Sequence, residues 1–95
     1  MLGLALLTLG GCAKKNGEEK LLDKSAQTLY QNAEYMLEVD KDRKKAVELF
    51  AEVERLYPYS EWSKRALIMQ GYVYHKDQKY EEARSAGERF IEFYP

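Results

Sequence analysis

The chain of 95 residues has little of what most enzymes and metal proteins need: one cysteine, one histidine and one tryptophan. A single cysteine builds no internal disulfide framework, and Cys12 with His75 cannot make a multi-cysteine zinc site or a Cys/His cluster. Proline occurs twice and glycine six times, which is too sparse for a turn-rich β protein. Neither sign of charge predominates, because 15 Lys+Arg stand against 16 Asp+Glu for a net charge of -1. Nucleic-acid binding normally rests on a clustered basic surface, so this balance argues against such a partner. The remainder is 45% hydrophobic and 33% charged, with eight tyrosines and three phenylalanines. It reads as one small domain of long helices packed through aromatic side chains.

The longest apolar run, Met1 to Leu9, is uncharged and is followed by Gly10, Gly11 and Cys12. Nine residues of helix reach about 14 Å at roughly 1.5 Å per residue, against a hydrocarbon core of about 30 Å, so the run cannot cross a bilayer. Its length suits the apolar region of a secretory signal, although no Lys or Arg precedes it. Leu9-Gly10-Gly11-Cys12 resembles the lipobox of bacterial lipoproteins. The resemblance implies a signal peptide over 1–11, a lipid on Cys12 and a polar tether over 12–22. Ala13 after the cysteine resembles the pattern of lipoproteins sent to the outer membrane. The residues alone would also fit an apolar N-terminus packed on its own helices, with Cys12 a buried thiol.

From Asp23 onward apolar positions fall at helical spacing, broken near Asp40 to Arg43, Pro58 to Ser60 and Asp77 to Lys79. This predicts four helices of about 14 to 17 residues each. Ala46, Leu49, Phe50, Val53, Leu56 and Tyr57 form one stripe of the second. The third, from Trp62 to Tyr74, is apolar around most of its circumference, as a helix between two neighbours would be. The fourth carries Tyr80, Ala83, Ala86, Gly87, Phe90, Ile91 and Tyr94, and Phe90, Ile91 and Phe93 should leave a sticky face.

The second and fourth segments align at an offset of 37, pairing Ala46 with Ala83, Val53 with Phe90 and Tyr57-Pro58 with Tyr94-Pro95. This resembles the tetratricopeptide repeat. Leu67, Gly71, Tyr74, Ala83, Phe90 and Pro95 match its order in a unit over 59–95; Leu29, Ala33, Ala46, Phe50 and Pro58 match more loosely in a unit over 23–58. The implied fold is all-α, with antiparallel helix pairs forming a short right-handed solenoid of two repeats. Gly71 is expected to let two helices approach, since a helix-interior glycine otherwise costs about 1 kcal/mol relative to alanine. Gln70 departs from the pattern, which prefers a larger apolar residue there. Ser60 is the expected N-cap of the third helix.

Pro58-Tyr59-Ser60-Glu61-Trp62-Ser63-Lys64-Arg65-Ala66-Leu67, followed by Met69, Tyr72 and Tyr74, looks like the junction of the first two repeats in BamD-like lipoproteins of the outer-membrane β-barrel assembly machine. Family members are longer, so the resemblance implies an N-terminal, truncated fragment. It implies a non-catalytic scaffold on the periplasmic face of the outer membrane, with unfolded outer-membrane proteins and machine subunits as partners. No cofactor is implied beyond the covalent lipid on Cys12. Another periplasmic tetratricopeptide adaptor, serving cell division or envelope maintenance, is the alternative.

Catalysis has little to draw on. His75 has neither a nucleophile nor a second ligand nearby in sequence and reads as a helix-end residue. Glu18-Glu19 and Glu81-Glu82 are adjacent positions that point apart on a helix, as solvated faces do. Lys14-Lys15 and Lys44-Lys45 could touch anionic headgroups near the anchor, or serve solubility alone. Tyr57, Tyr74, Tyr80 and Tyr94 fall on repeat packing positions. Tetratricopeptide folds line their concave groove with the free face of each unit's first helix. Here that face comprises Arg65, Ile68, Tyr72, His75 and Lys76, with Gln27, Tyr30 and Glu34 in the first unit. Aromatic surface beside hydrogen-bonding groups suits an extended peptide.

Overall fold

A computed structural model of the chain describes residues 2–95, with side chains from Lys20 onward. Four helices make up the described residues, with no strand among them: α1 (Leu2–Glu38), α2 (Arg43–Leu56), α3 (Glu61–Lys76) and α4 (Tyr80–Phe93). α1 packs on α2, α2 on α3 and α3 on α4, with a lesser contact of α1 with α3. α3 thus lies between neighbours, as its broad apolar surface requires. Among the described residues no helix is long and apolar enough to cross a membrane.

Local chemistry sets the boundaries. Asp42 accepts from the Lys45 amide at 3.0 Å and starts α2. Ser60 accepts from the Ser63 amide at 3.0 Å and starts α3, while its hydroxyl donates to the Tyr57 carbonyl at 2.7 Å. α4 has no side-chain cap, but Glu81 and Glu82 in its first turn complement the helix dipole. Each turn passes through a left-handed residue: Lys41 (φ 57), Tyr59 (φ 64) and Gln78 (φ 62). Such positions ordinarily favour glycine, and none of these is glycine.

The core of the first helix pair gathers Tyr30, Ala33, Ala46, Phe50, Val53 and Ala66, flanked by Leu29, Met36, Leu37, Leu49, Trp62 and Met69. Fully buried alanines at Ala33, Ala46 and Ala66 let the helix axes come close, and Phe50 fills the space they leave. In the second pair Leu67, Val73 and Ala86 are buried. Leu56 and Tyr80, expected to pack, are exposed, because each lies in an end turn of its helix.

Gln70 is only 2% exposed and is satisfied from both sides. Its Nε2 donates to Glu54 Oε1 of α2 at 3.0 Å, and its Oε1 accepts from Arg89 Nη2 of α4 at 3.2 Å. Arg89 Nε donates to Glu54 Oε2 at 2.9 Å. A polar residue replaces an apolar one here because the two flanking helices, α2 and α4, supply its partners.

Gly71 does not have the expected steric role. A Cβ built on it would meet the Ala83 carbonyl oxygen at 3.9 Å, an ordinary van der Waals contact. The backbone over 12–22, expected as a tether, is helical within α1, in keeping with its Lys, Glu and Leu content. The run from Lys20 to Ser25 is exposed, and among the described side chains of α1 burial begins at Ala26. The side chains over 1–11, and Cys12 with them, lie outside the described residues.

Candidate functional site

The facing surfaces of α1 and α3 enclose an open cleft of ≈ 420 Å³. Leu37 and Met69 supply aliphatic surface and Tyr72 an aromatic ring, while Glu38, Lys41, Arg43 and Lys76 form its charged rim. Its position follows from the repeat: α1 and α3 are the first helices of successive pairs, and α2 packs behind them. The α1–α2 turn closes one wall, with Lys41 held there by the left-handed turn and the Asp42 amide donating to the Met36 carbonyl at 2.8 Å. Arg43 pairs with Asp77 at the end of α3, tying the two walls together.

Lys41, Arg43 and Lys76 line this rim with Glu38, Arg43 being paired with Asp77, and Lys76 lies 5.6 Å from the centre of the Tyr72 ring. An extended segment would find aliphatic and aromatic surface for its side chains and donors for its carbonyl or carboxylate oxygens. Farther along α3, the Arg65 guanidinium stacks 4.7 Å from the centre of the Trp62 ring and pairs with Glu61 at 3.7 Å. Ile68 is exposed between Arg65 and Tyr72 on the same helix.

Tyr30 departs from its expected place. It is 8% exposed, with its ring 5.3 Å from Phe50 and 5.4 Å from Trp62, so it belongs to the core and not to a free groove surface. The close approach of α1 and α2 at Ala33 and Ala46 wedges the ring inward. Burial, then the neighbouring Glu34 carboxylate, raises the Tyr30 phenol above its ordinary value, while Arg65 opposes the shift. His75 does not line the cleft; its ring meets Tyr80 of α4 edge-on at 5.3 Å.

The cleft also draws on Leu37, Glu38, Lys41, Arg43 and Met69, which the sequence reading did not place there. Leu37 and Glu38 follow Glu34 by three and four residues, and Met69 follows Arg65 by four, so helical spacing carried a signal for these three. Lys41 and Arg43 sit in a turn, where no periodicity operates. Lys44 and Lys45 adjoin this same turn, at the end of the bundle away from Lys20, so they lie remote from the point where α1 continues toward Cys12. Among the described residues no group of three or more His, Cys, Asp or Glu side chains is placed to hold a metal ion.

The family described as "Outer membrane lipoprotein" (YfiO) matches residues 22–95. The "Outer membrane protein assembly factor BamD" of Caulobacter vibrioides is 36% identical over 94 residues, covering 97% of this chain and 30% of the relative. The chain therefore spans less than a third of that relative's length. No solved structure matches at a significant level.

Proposed function

Because the chain belongs to the outer membrane lipoprotein (YfiO) family, we propose that it is a non-catalytic binding module of outer-membrane protein assembly. It is held on the periplasmic face of the outer membrane by a lipid on Cys12. The α1–α3 cleft receives an extended segment of an unfolded outer-membrane protein, and other surfaces meet partner subunits of the assembly machinery. The Caulobacter relative's name favours assembly over a role in cell division or envelope maintenance.

The observation that carries the reading is the pairing in one cleft of Leu37, Met69 and Tyr72 with a cationic rim of Lys41, Arg43 and Lys76. Apolar surface alone would not select an extended chain, and charge alone would not retain it. Together they suit an amphipathic strand that alternates apolar side chains with exposed peptide oxygens. Such binding needs no bond-making group.

The test is titration of the chain with a fluorescent peptide ending in a β-barrel strand with an aromatic terminus. Tyr72→Ala should weaken binding by roughly thirtyfold, about 2 kcal/mol for a central aromatic contact. Lys76→Glu and Arg65→Glu should also weaken it, whereas His75→Ala should not. Unchanged affinity in Tyr72→Ala and Lys76→Glu, with helicity preserved, would remove the cleft assignment. Intact mass of the membrane-extracted chain, compared with Cys12→Ser, tests the anchor separately.

A further inference from the structure

The two walls of the cleft are held by different chemistry at their two ends. Toward the start of α3, Trp62 Nε1 donates to Asp23 Oδ1 at 3.2 Å and the Trp62 ring packs 5.4 Å from that of Tyr30, so α1 and α3 touch directly. Toward the end of α3, Met69, Tyr72 and Lys76 stand across the open cleft from Leu37 and Glu38. The link there runs through the α1–α2 turn. The Asp42 amide donates to the Met36 carbonyl at 2.8 Å, Arg43 opens α2 one residue later, and Arg43 pairs with Asp77 at the cap of α3. Asp77 does not itself line the cleft.

We propose that Asp77 is a positioning residue of the cleft, latching the α1–α2 turn to the end of α3 through Arg43 and so fixing the separation of the two walls. Neither partner's place is explained by its own helix. Arg43 is the first residue of α2, whose first turn holds no acidic residue, and a cation there opposes the positive end of the helix dipole. Asp77 caps the end of α3, where an anion opposes the negative end. Each charge sits at the unfavourable end of its helix, and the pairing offsets both. The other ion pairs among the described residues lie within one helix, apart from Arg89 with Glu54, which joins α4 to α2 outside the cleft.

The inference rests on the reading of the cleft as a peptide site. A segment entering a cleft whose walls are already fixed meets no cost for ordering them, so the latch raises affinity without touching the segment. Lys41 shares the latched turn, and its place on the rim depends on the same pair. Side-chain exposures of 54% for Arg43 and 24% for Asp77 leave the pair in reach of water, so its strength is that of a surface pair.

The test compares the full chain with its Asp77→Asn variant by amide hydrogen exchange and by titration with the same aromatic-terminated strand peptide. The Asp42 amide, protected by the Met36 carbonyl, lies across the latch from the substitution. It should exchange roughly fivefold faster in Asp77→Asn, the upper range for an exposed ion pair. Peptide affinity should fall by a similar factor, roughly fivefold, while the melting temperature holds or rises because an anion has left the end of α3. The double variant Arg43→Asp with Asp77→Arg restores the pair with each charge at the favourable end of its helix, so the Asp42 amide should return to its slow rate. Unchanged Asp42 exchange in Asp77→Asn overturns the latch. Faster exchange with unaltered peptide affinity overturns the positioning role. Failure of the double variant to slow the amide overturns the latch as well, since the effect would then belong to the Asp77 carboxylate and not to the pair. Absence of peptide binding in the parent chain is a separate result: it overturns the peptide reading, and Asp42 exchange then decides the latch by itself.

Discussion

Arg89 on α4 reaches past α3 to Glu54 on α2, closing an ion pair of 2.9 Å beside the buried amide of Gln70. The contact spans 35 residues of sequence and joins the two helix pairs through side chains. It orients α4 as apolar packing alone would not, since Ala86 is the one residue of α4 that is fully buried. Hydrogen bonds have direction, and here they fix the rotation of α4 about its axis.

Arg89→Met should therefore destabilise the fold by about 1–2 kcal/mol, toward the lower value because Arg89 and Glu54 keep partial contact with solvent. Gln70→Leu should cost less, since Glu54 and Arg89 still pair with each other and an apolar residue suits the site. Urea unfolding of the two variants reads the order directly. A larger loss in Gln70→Leu would mean that the amide, and not the ion pair, sets the register.

Backbone substitutions give an opposite sign. Gly71→Ala places its Cβ at ordinary contact distance from the Ala83 carbonyl, so relief of the glycine cost should raise stability by up to about 1 kcal/mol. Gln78→Gly should stabilise by a similar amount, roughly 1 kcal/mol, because the exposed glutamine sits in the left-handed region. A lower melting temperature for Gly71→Ala would show that α3 and α4 approach more closely than 3.9 Å implies.

The buried phenol of Tyr30 makes stability depend on alkaline pH. Its acidity is lower in the folded state than in the unfolded chain, so the unfolded state loses this proton first as pH rises. The contribution is whole below the ordinary tyrosine range, about 10, and is lost as pH climbs through the raised folded value. Tyr30→Phe should unfold less readily than the parent as pH rises from 9 toward 12, on the order of the tyrosine titration range. Superimposable alkaline unfolding curves would place the hydroxyl in solvent.

The turns and the helices α2 to α4 were legible in the sequence because they rest on local signals, whereas α1, expected from Asp23 at 14 to 17 residues, runs from Leu2 over 37 residues. The breaks at Asp40 to Arg43, Pro58 to Ser60 and Asp77 to Lys79 coincide with the observed turns, and Ser60 caps α3 as its position implied. Residues whose roles depend on distant partners were not legible. Gln70 looked like a departure from the repeat because Glu54 and Arg89 lie 16 and 19 residues away. Tyr30 was assigned to the groove by register, whereas Phe50 and Trp62 draw it inward. Of the cleft, Tyr72 and Lys76 were read as a helical face, and Leu37, Glu38 and Met69 carry helical spacing that the reading did not use. The rest comes from a turn whose left-handed residue, Lys41, has no signature of its own.

The three left-handed residues, Lys41, Tyr59 and Gln78, stand 18 and 19 positions apart and alternate between the two ends of the bundle. Growth of such a chain is consequently constrained by parity. Duplicating a helix pair returns the next turn to the end where its parent stood, so lysine-bearing and tyrosine-bearing turns stay segregated. Duplicating a single helix would exchange them and bring lysines among the tyrosines. The heritable unit is the pair, because only the pair preserves which way the molecule faces.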